Sequence, residues 1–176
     1  NRGGFEAGVG ISNAVVAGSG GYVRGGCLEL ALACDIRCAA PTAIFALPEP
    51  GRGLIPGGGG TQRLSRVVAP GQALDMLLTG DRMTADQAQR IGLISRVASD
   101  NAGWLDEVRD FAQRIAGKPP TASAFVKRAA RAALELDLKS GLSLELDLFA
   151  LLATTQDARE AALAFSERRE AQFTGE

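Results

Sequence analysis

Two acidic residues stand in surroundings that suit proton chemistry. Glu29 lies in "GGCLELALACD", an otherwise apolar helical run in which burying an acid is costly. Its neighbours one helical turn away are Gly25, Gly26, Leu32 and Ala33, none of which makes an exposed polar face. Glu49 stands between Pro48 and Pro50 in "FALPEPGRGLIPGGGGTQRL", after an apolar run and before the four glycines Gly57 to Gly60. Pro50 disfavours the α region for the residue before it, so the sequence predicts an extended Glu49 on a stiff backbone. A carboxylate shortly after Gly26, at the head of a short helix, is one turn from N–H groups that have no intrahelical acceptor. Such donors, helped by the helix dipole, stabilise a developing oxyanion. Two carboxylates beside an oxyanion donor describe a proton-transfer site rather than a phosphate site. The plain alternatives are a Glu29 that faces solvent and glycines that only make tight turns.

Other chemistries lack their residues. The chain of 176 residues contains no histidine, which removes Ser-His-Asp and Cys-His catalysis and the usual metal sites. Cys27, Cys34 and Cys38 cluster in apolar sequence and read as reduced, buried thiols of a cytoplasmic protein. They have no partner cluster elsewhere, so no metal is expected. "GGGGTQ" has Gly60 where a phosphate-binding loop needs lysine, and "VVAGSGGYVRGG" ends a dinucleotide pattern on Val23 rather than glycine or alanine. A net charge of −1 offers nothing to nucleic acid or an anionic membrane. The longest apolar run, around Leu28 to Cys34, is too short to span a bilayer, and no signal peptide is evident.

The elements that must position the two acids are short. Strands are predicted at 14–17, 36–40, 44–47 and 93–97, and helices at 25–34, 61–68, 72–78 and 84–91. Thr84 and Gln87 fit a capping box, and Gly92 stops that helix. Beyond residue 100 glycine becomes scarce, and helices are predicted at 104–115, 122–134 and 142–154, with another after 158. The expected organisation is α/β, with a catalytic core over 1–100 and a helical region over 101–176.

"GGYVRGGCLELALACDIRCAA", "FALPEPGRGLIPGGGGTQRL" and "ALDMLLTGDRMTADQAQRIGLISRV", in that order, resemble the crotonase superfamily, the enoyl-CoA hydratases and isomerases. The match runs from about Ala14 through the C-terminal "FALLATTQDAREAALAFSERREAQFTGE". The resemblance implies a spiral of ββα turns followed by helices that build a trimer, usually paired into a hexamer. It implies that Glu29 and Glu49 hold a water between them, that Gly26 supplies an oxyanion N–H and that Gly57 helps to fix the water. Glu29 would deprotonate the water and Glu49 would protonate C2. The implied substrate is an acyl-CoA thioester, with CoA as its handle and no separate cofactor. Phe149 and Arg168 match positions that reach the CoA of a neighbouring subunit. Their plain alternatives are core packing with Leu142, Leu146 and Leu152 for Phe149, and a solvated charged face for Arg168.

The sequence also departs from the family pattern. "GGCLE" stands where "GGGCE" is common, and "NRGGFEAGVGIS" aligns with nothing in the family. The family's N-terminal part, with a second oxyanion N–H, has no counterpart in these residues, so the chain alone is expected to show little activity. The leading expectation is an enoyl-CoA hydratase. Alternatives are an enoyl-CoA isomerase and an inactive structural relative.

Overall fold

Glycines punctuate the start of the chain and keep its strands short. In the computed structural model, which describes residues 11–176, β1 (Val16–Ser19) and β2 (Tyr22–Arg24) are separated by Gly20 and Gly21. Helix α1 (Gly26–Ala33) follows, then β3 (Ile36–Ala39) and β4 (Ile44–Ala46). β3 lies parallel to β1, with Ile36 opposite Val16, and β4 lies parallel to β2, with Ile44 opposite Tyr22. Each ββα turn therefore adds one strand to each of two sheets, which is the spiral the motifs imply. Two short strands extend the sheets. β6 (Arg96–Val97) pairs parallel to β3, and β5 (Met83–Thr84) pairs antiparallel to β4.

α1 is apolar around most of its circumference, with Leu30 left exposed on one side. Leu28, Ala31, Leu32 and Ala33 are buried, and so is Glu29. Around them Phe45, Leu47, Leu64, Leu93 and Ile94 form the centre of the core. Leu64 comes from α2 (Gly60–Val67), which is followed by α3 (Pro70–Thr79) and α4 (Ala85–Arg90). The capping box on α4 is present: Thr84 Oγ1 accepts from the Gln87 N–H, and Gln87 Oε1 accepts from the Thr84 N–H. Gly92 follows with φ 79°, the left-handed conformation that glycine adopts without penalty. Arg37 is buried, and its guanidinium donates to the carbonyls of Leu93 at 2.7 Å and Cys34 at 3.0 Å. Burial lowers its pKa from the ordinary arginine value.

Three local expectations need correction. The strand predicted at 93–97 pairs only at Arg96–Val97, because the N–H groups of Leu93 and Ile94 turn back to the Ala88 carbonyl. β2 was not anticipated, since three residues between glycines carry no readable period. Glu49 is not extended: it opens a 3-10 turn, Glu49–Arg52, whose carbonyl accepts from Gly53 at the turn's end. Pro50 fits there because the first turn of a helix makes no use of its missing N–H.

The chain divides into two compact units, Val15–Phe111 and Ala112–Glu176, the latter with Ser12–Ala14. α5 (Trp104–Ala116) begins in the first. The second contains α6 (Pro120–Ala132), α7 (Leu138–Leu152) and α8 (Gln156–Glu167). Asp137 caps α7 by accepting from the Ser140 N–H, and Thr155 caps α8 by accepting from the Ala158 N–H. The end of the chain folds back onto α8: Asp157 accepts from the N–H groups of Thr174 and Gly175, and Arg169 pairs with Glu160. The Arg169 hydrogen bond pulls the Glu160 carboxyl down to about 2. The segment "NRGGFEAGVGIS", to which no role is assigned, lies almost wholly outside the described residues.

Candidate active site

Glu29 points from α1 into the glycine loop. Its Oε1 accepts from the Gly58 N–H at 2.7 Å and from the Gly60 N–H at 2.8 Å. The residue is only 4% exposed, which rules out the solvent-facing alternative. Gly60 opens α2, so its N–H belongs to the first helical turn, where no intrahelical acceptor exists. The carboxylate thus supplies the acceptor that this helix end needs, and its negative charge suits the positive end of the dipole. A Cβ on Gly60 would stand 2.6 Å from Pro56 Cβ and 3.0 Å from Glu29 Oε1. Only glycine lets the backbone come this close.

Glu49 reaches the same neighbourhood from the other side. A Cβ built on Gly25 would stand 2.6 Å from Glu49 Oε1, so this carboxylate rests against bare backbone. Gly25 has φ 55° and ψ −127°, a conformation open essentially to glycine. It precedes α1, and its carbonyl accepts the N–H of Glu29 at 3.0 Å. One residue therefore touches both acids, Glu29 through a backbone hydrogen bond and Glu49 through van der Waals contact. Glu49 Oε2 is buried and has no hydrogen-bond partner among the described residues. An acceptor left in that state costs on the order of 1–3 kcal/mol, which makes it a group to be explained by chemistry.

Gly26 is the first residue of α1, exposed, with its N–H among the orphan donors of the first turn. Gly57 is exposed at the start of the glycine loop. Glu29, Glu49, Gly26 and Gly57 all belong to the first unit. Phe149 and Arg168 belong to the second. Phe149 is 69% exposed on α7, so the core-packing alternative does not hold within this chain. Arg168 is exposed and ends α8 with φ 55°, the one non-glycine residue with positive φ among the described residues.

The resemblance assigns individual roles to Gly26 and Gly57, whereas the contacts to the acids are made by Gly25, Gly58 and Gly60. A weak signal existed for Gly60, a glycine placed where an apolar-periodic helix begins and every N–H needs an acceptor. Nothing local pointed to Gly25.

The sequence and fold both have close counterparts. Residues 9–176 match the family model described as enoyl-CoA hydratase/isomerase. The crotonyl-CoA hydratase of Syntrophomonas wolfei is 44% identical over 159 residues, covering 90% of this chain and 61% of that protein. The mitochondrial enoyl-CoA hydratase of Pongo abelii is 41% identical, covering 93% of this chain and 56% of its own length. The chain thus spans about three-fifths of the length of these curated relatives. Among solved structures, the enoyl-CoA hydratase of Bacillus anthracis superposes with a TM-score of 0.96 at 34% identity, covering 99% of this chain and 67% of that one. A family match over nearly every residue, and a fold shared with solved hydratases, make this chain a member of the enoyl-CoA hydratase/isomerase family.

Proposed function

We propose that the protein is an enoyl-CoA hydratase, adding water reversibly to a 2-trans-enoyl-CoA thioester in fatty-acid or related acyl-CoA metabolism. The observation that carries this reading is the pair of carboxylates flanking Gly25, one cradled by two N–H donors and one with a buried oxygen that has no donor among the described residues. Glu29, with Oε1 committed to the loop, takes a proton from water on its other oxygen as the water oxygen bonds to C3. Glu49 delivers a proton to C2. Gly26 N–H stabilises the enolate-like thioester oxygen, a contribution of about 3 kcal/mol for such a donor. The CoA moiety is a binding handle, and the reaction calls for no separate cofactor or metal.

The same reading makes the protein a cytoplasmic homo-oligomer, a trimer or a dimer of trimers. Support comes from the three cysteines clustered at 27, 34 and 38 and from α7, where Leu138, Leu142, Leu146 and Phe149 recur at helical spacing and are all exposed. Phe149 and Arg168 are then CoA contacts offered to a neighbouring subunit. No helix among the described residues is long and apolar enough to cross a membrane. No nucleic acid or membrane partner is proposed.

The test is hydration of crotonyl-CoA, followed by loss of its ultraviolet absorbance, by the product of the complete reading frame. Turnover at ordinary enzyme rates supports the assignment. Double-bond migration in a 3-enoyl-CoA without hydration would replace it with isomerase, and absence of both with an inactive relative.

A further inference from the structure

We infer that Arg63 is a positioning residue for Glu29, acting through the backbone on either side of the Gly58 α-carbon; the inference rests on the hydratase reading above. Both N–H donors to the Glu29 carboxylate are glycines, and Gly59 between them adopts φ 100°. A run of glycines has more backbone freedom to lose than any other sequence, so the loop needs an outside hold to keep two donors aimed at one oxygen. Arg63 supplies that hold. Its Nη1 donates to the Gly58 carbonyl at 2.8 Å, while the N–H of the same Gly58 donates to Glu29. The Arg63 main-chain N–H makes the ordinary helical bond to the Gly59 carbonyl at 2.8 Å, so the hold that depends on arginine is the guanidinium contact. Its guanidinium lies so close to Gly59 that a Cβ there would collide with Nη1, which gives Gly59 a steric reason beyond its φ.

Helix stability does not account for this cation. Arg63 sits one turn into α2, near the positive end of the dipole, where a basic side chain is disfavoured. Among the described residues its guanidinium holds the glycine loop. A planar guanidinium can hydrogen-bond a carbonyl while lying flat along the neighbouring peptide, whereas a lysine ammonium can make only the first contact. Arg63 thus touches no reacting atom, and its effect reaches the chemistry through Gly58 and Gly60.

The experiment compares wild type with Arg63→Met, Arg63→Gln and Arg63→Lys in the product of the complete reading frame. Arg63→Met is expected to lower kcat for crotonyl-CoA by about 10–100-fold, the usual cost of a small misplacement of a catalytic group. The dissociation constant of the unreactive butyryl-CoA should stay within about threefold, because a residue that acts only by holding the loop adds nothing to ester binding. Arg63→Lys should recover kcat only in part, because it restores the hydrogen bond to the Gly58 carbonyl without the flat contact along Gly59. Amide hydrogen exchange across 57–60 should quicken about tenfold or more in Arg63→Met and slow again in Arg63→Lys, a readout independent of turnover. Unchanged exchange in this loop overturns the inference whatever the activity does. So does an unchanged kcat, a parallel loss of butyryl-CoA binding, or failure of both Met and Gln variants to fold, each of which would leave Arg63 a merely structural residue. A wild type without hydratase activity refutes the functional reading instead, and the inference with it.

Discussion

Glu49 rests against the α-carbon of Gly25, so closely that a Cβ there would stand 2.6 Å from its Oε1. The contact joins the 3-10 turn Glu49–Arg52 to the entry of α1, and through the Gly25 carbonyl it reaches the backbone of Glu29. Two acids with different surroundings are thereby held around one glycine. Environment is what lets two chemically similar carboxylates take different roles.

Gly25→Ala should therefore be costly out of proportion to one methyl group. The backbone at φ 55°, ψ −127° is unfavourable for alanine, on the order of 1–3 kcal/mol, and the new Cβ must displace Glu49. A lowered thermal midpoint together with a fall in crotonyl-CoA turnover of at least tenfold is expected. A variant with wild-type stability and turnover would show that the contact is unimportant.

Glu49→Gln keeps the shape of the side chain but cannot deliver a proton. Hydration of crotonyl-CoA should be abolished, with binding of a CoA ester kept within a few-fold by calorimetry. Turnover close to wild type would remove Glu49 from the mechanism.

Glu29→Gln can still accept the Gly58 and Gly60 N–H groups through its amide oxygen, so the loop should keep its geometry. What is lost is the base. Hydration should fall strongly while any residual double-bond isomerisation survives. Isomerisation lost as heavily as hydration would sink this division of labour.

Leu146→Asp puts a charge into the exposed apolar row of α7. If that row is covered by another subunit, burying an unpaired carboxylate is prohibitive and the assembly should dissociate. Light scattering on the purified variant is the check. A variant with the mass of the wild-type assembly would exclude this face from the interface.

Much of the framework was legible in the chain itself, because it depends on neighbours close in sequence. The all-round apolar run of α1, the Thr84–Gln87 capping box and the glycine stop after α4 are set by side chains three or four residues apart. Glu29 and Glu49 were identifiable because an acid in an apolar helix and an acid between prolines are locally anomalous. What the sequence could not determine was what each acid touches. The Glu29 carboxylate takes its donors from Gly58 and Gly60, some thirty positions further on, and Glu49 finds the backbone of Gly25. Pro50 argued for an extended Glu49, yet the structure places it in a 3-10 turn, since proline is equally at home in a first helical turn. Glycines carry no side chain to reveal their partners, so their contacts exist only once the spiral has stacked one turn upon the next.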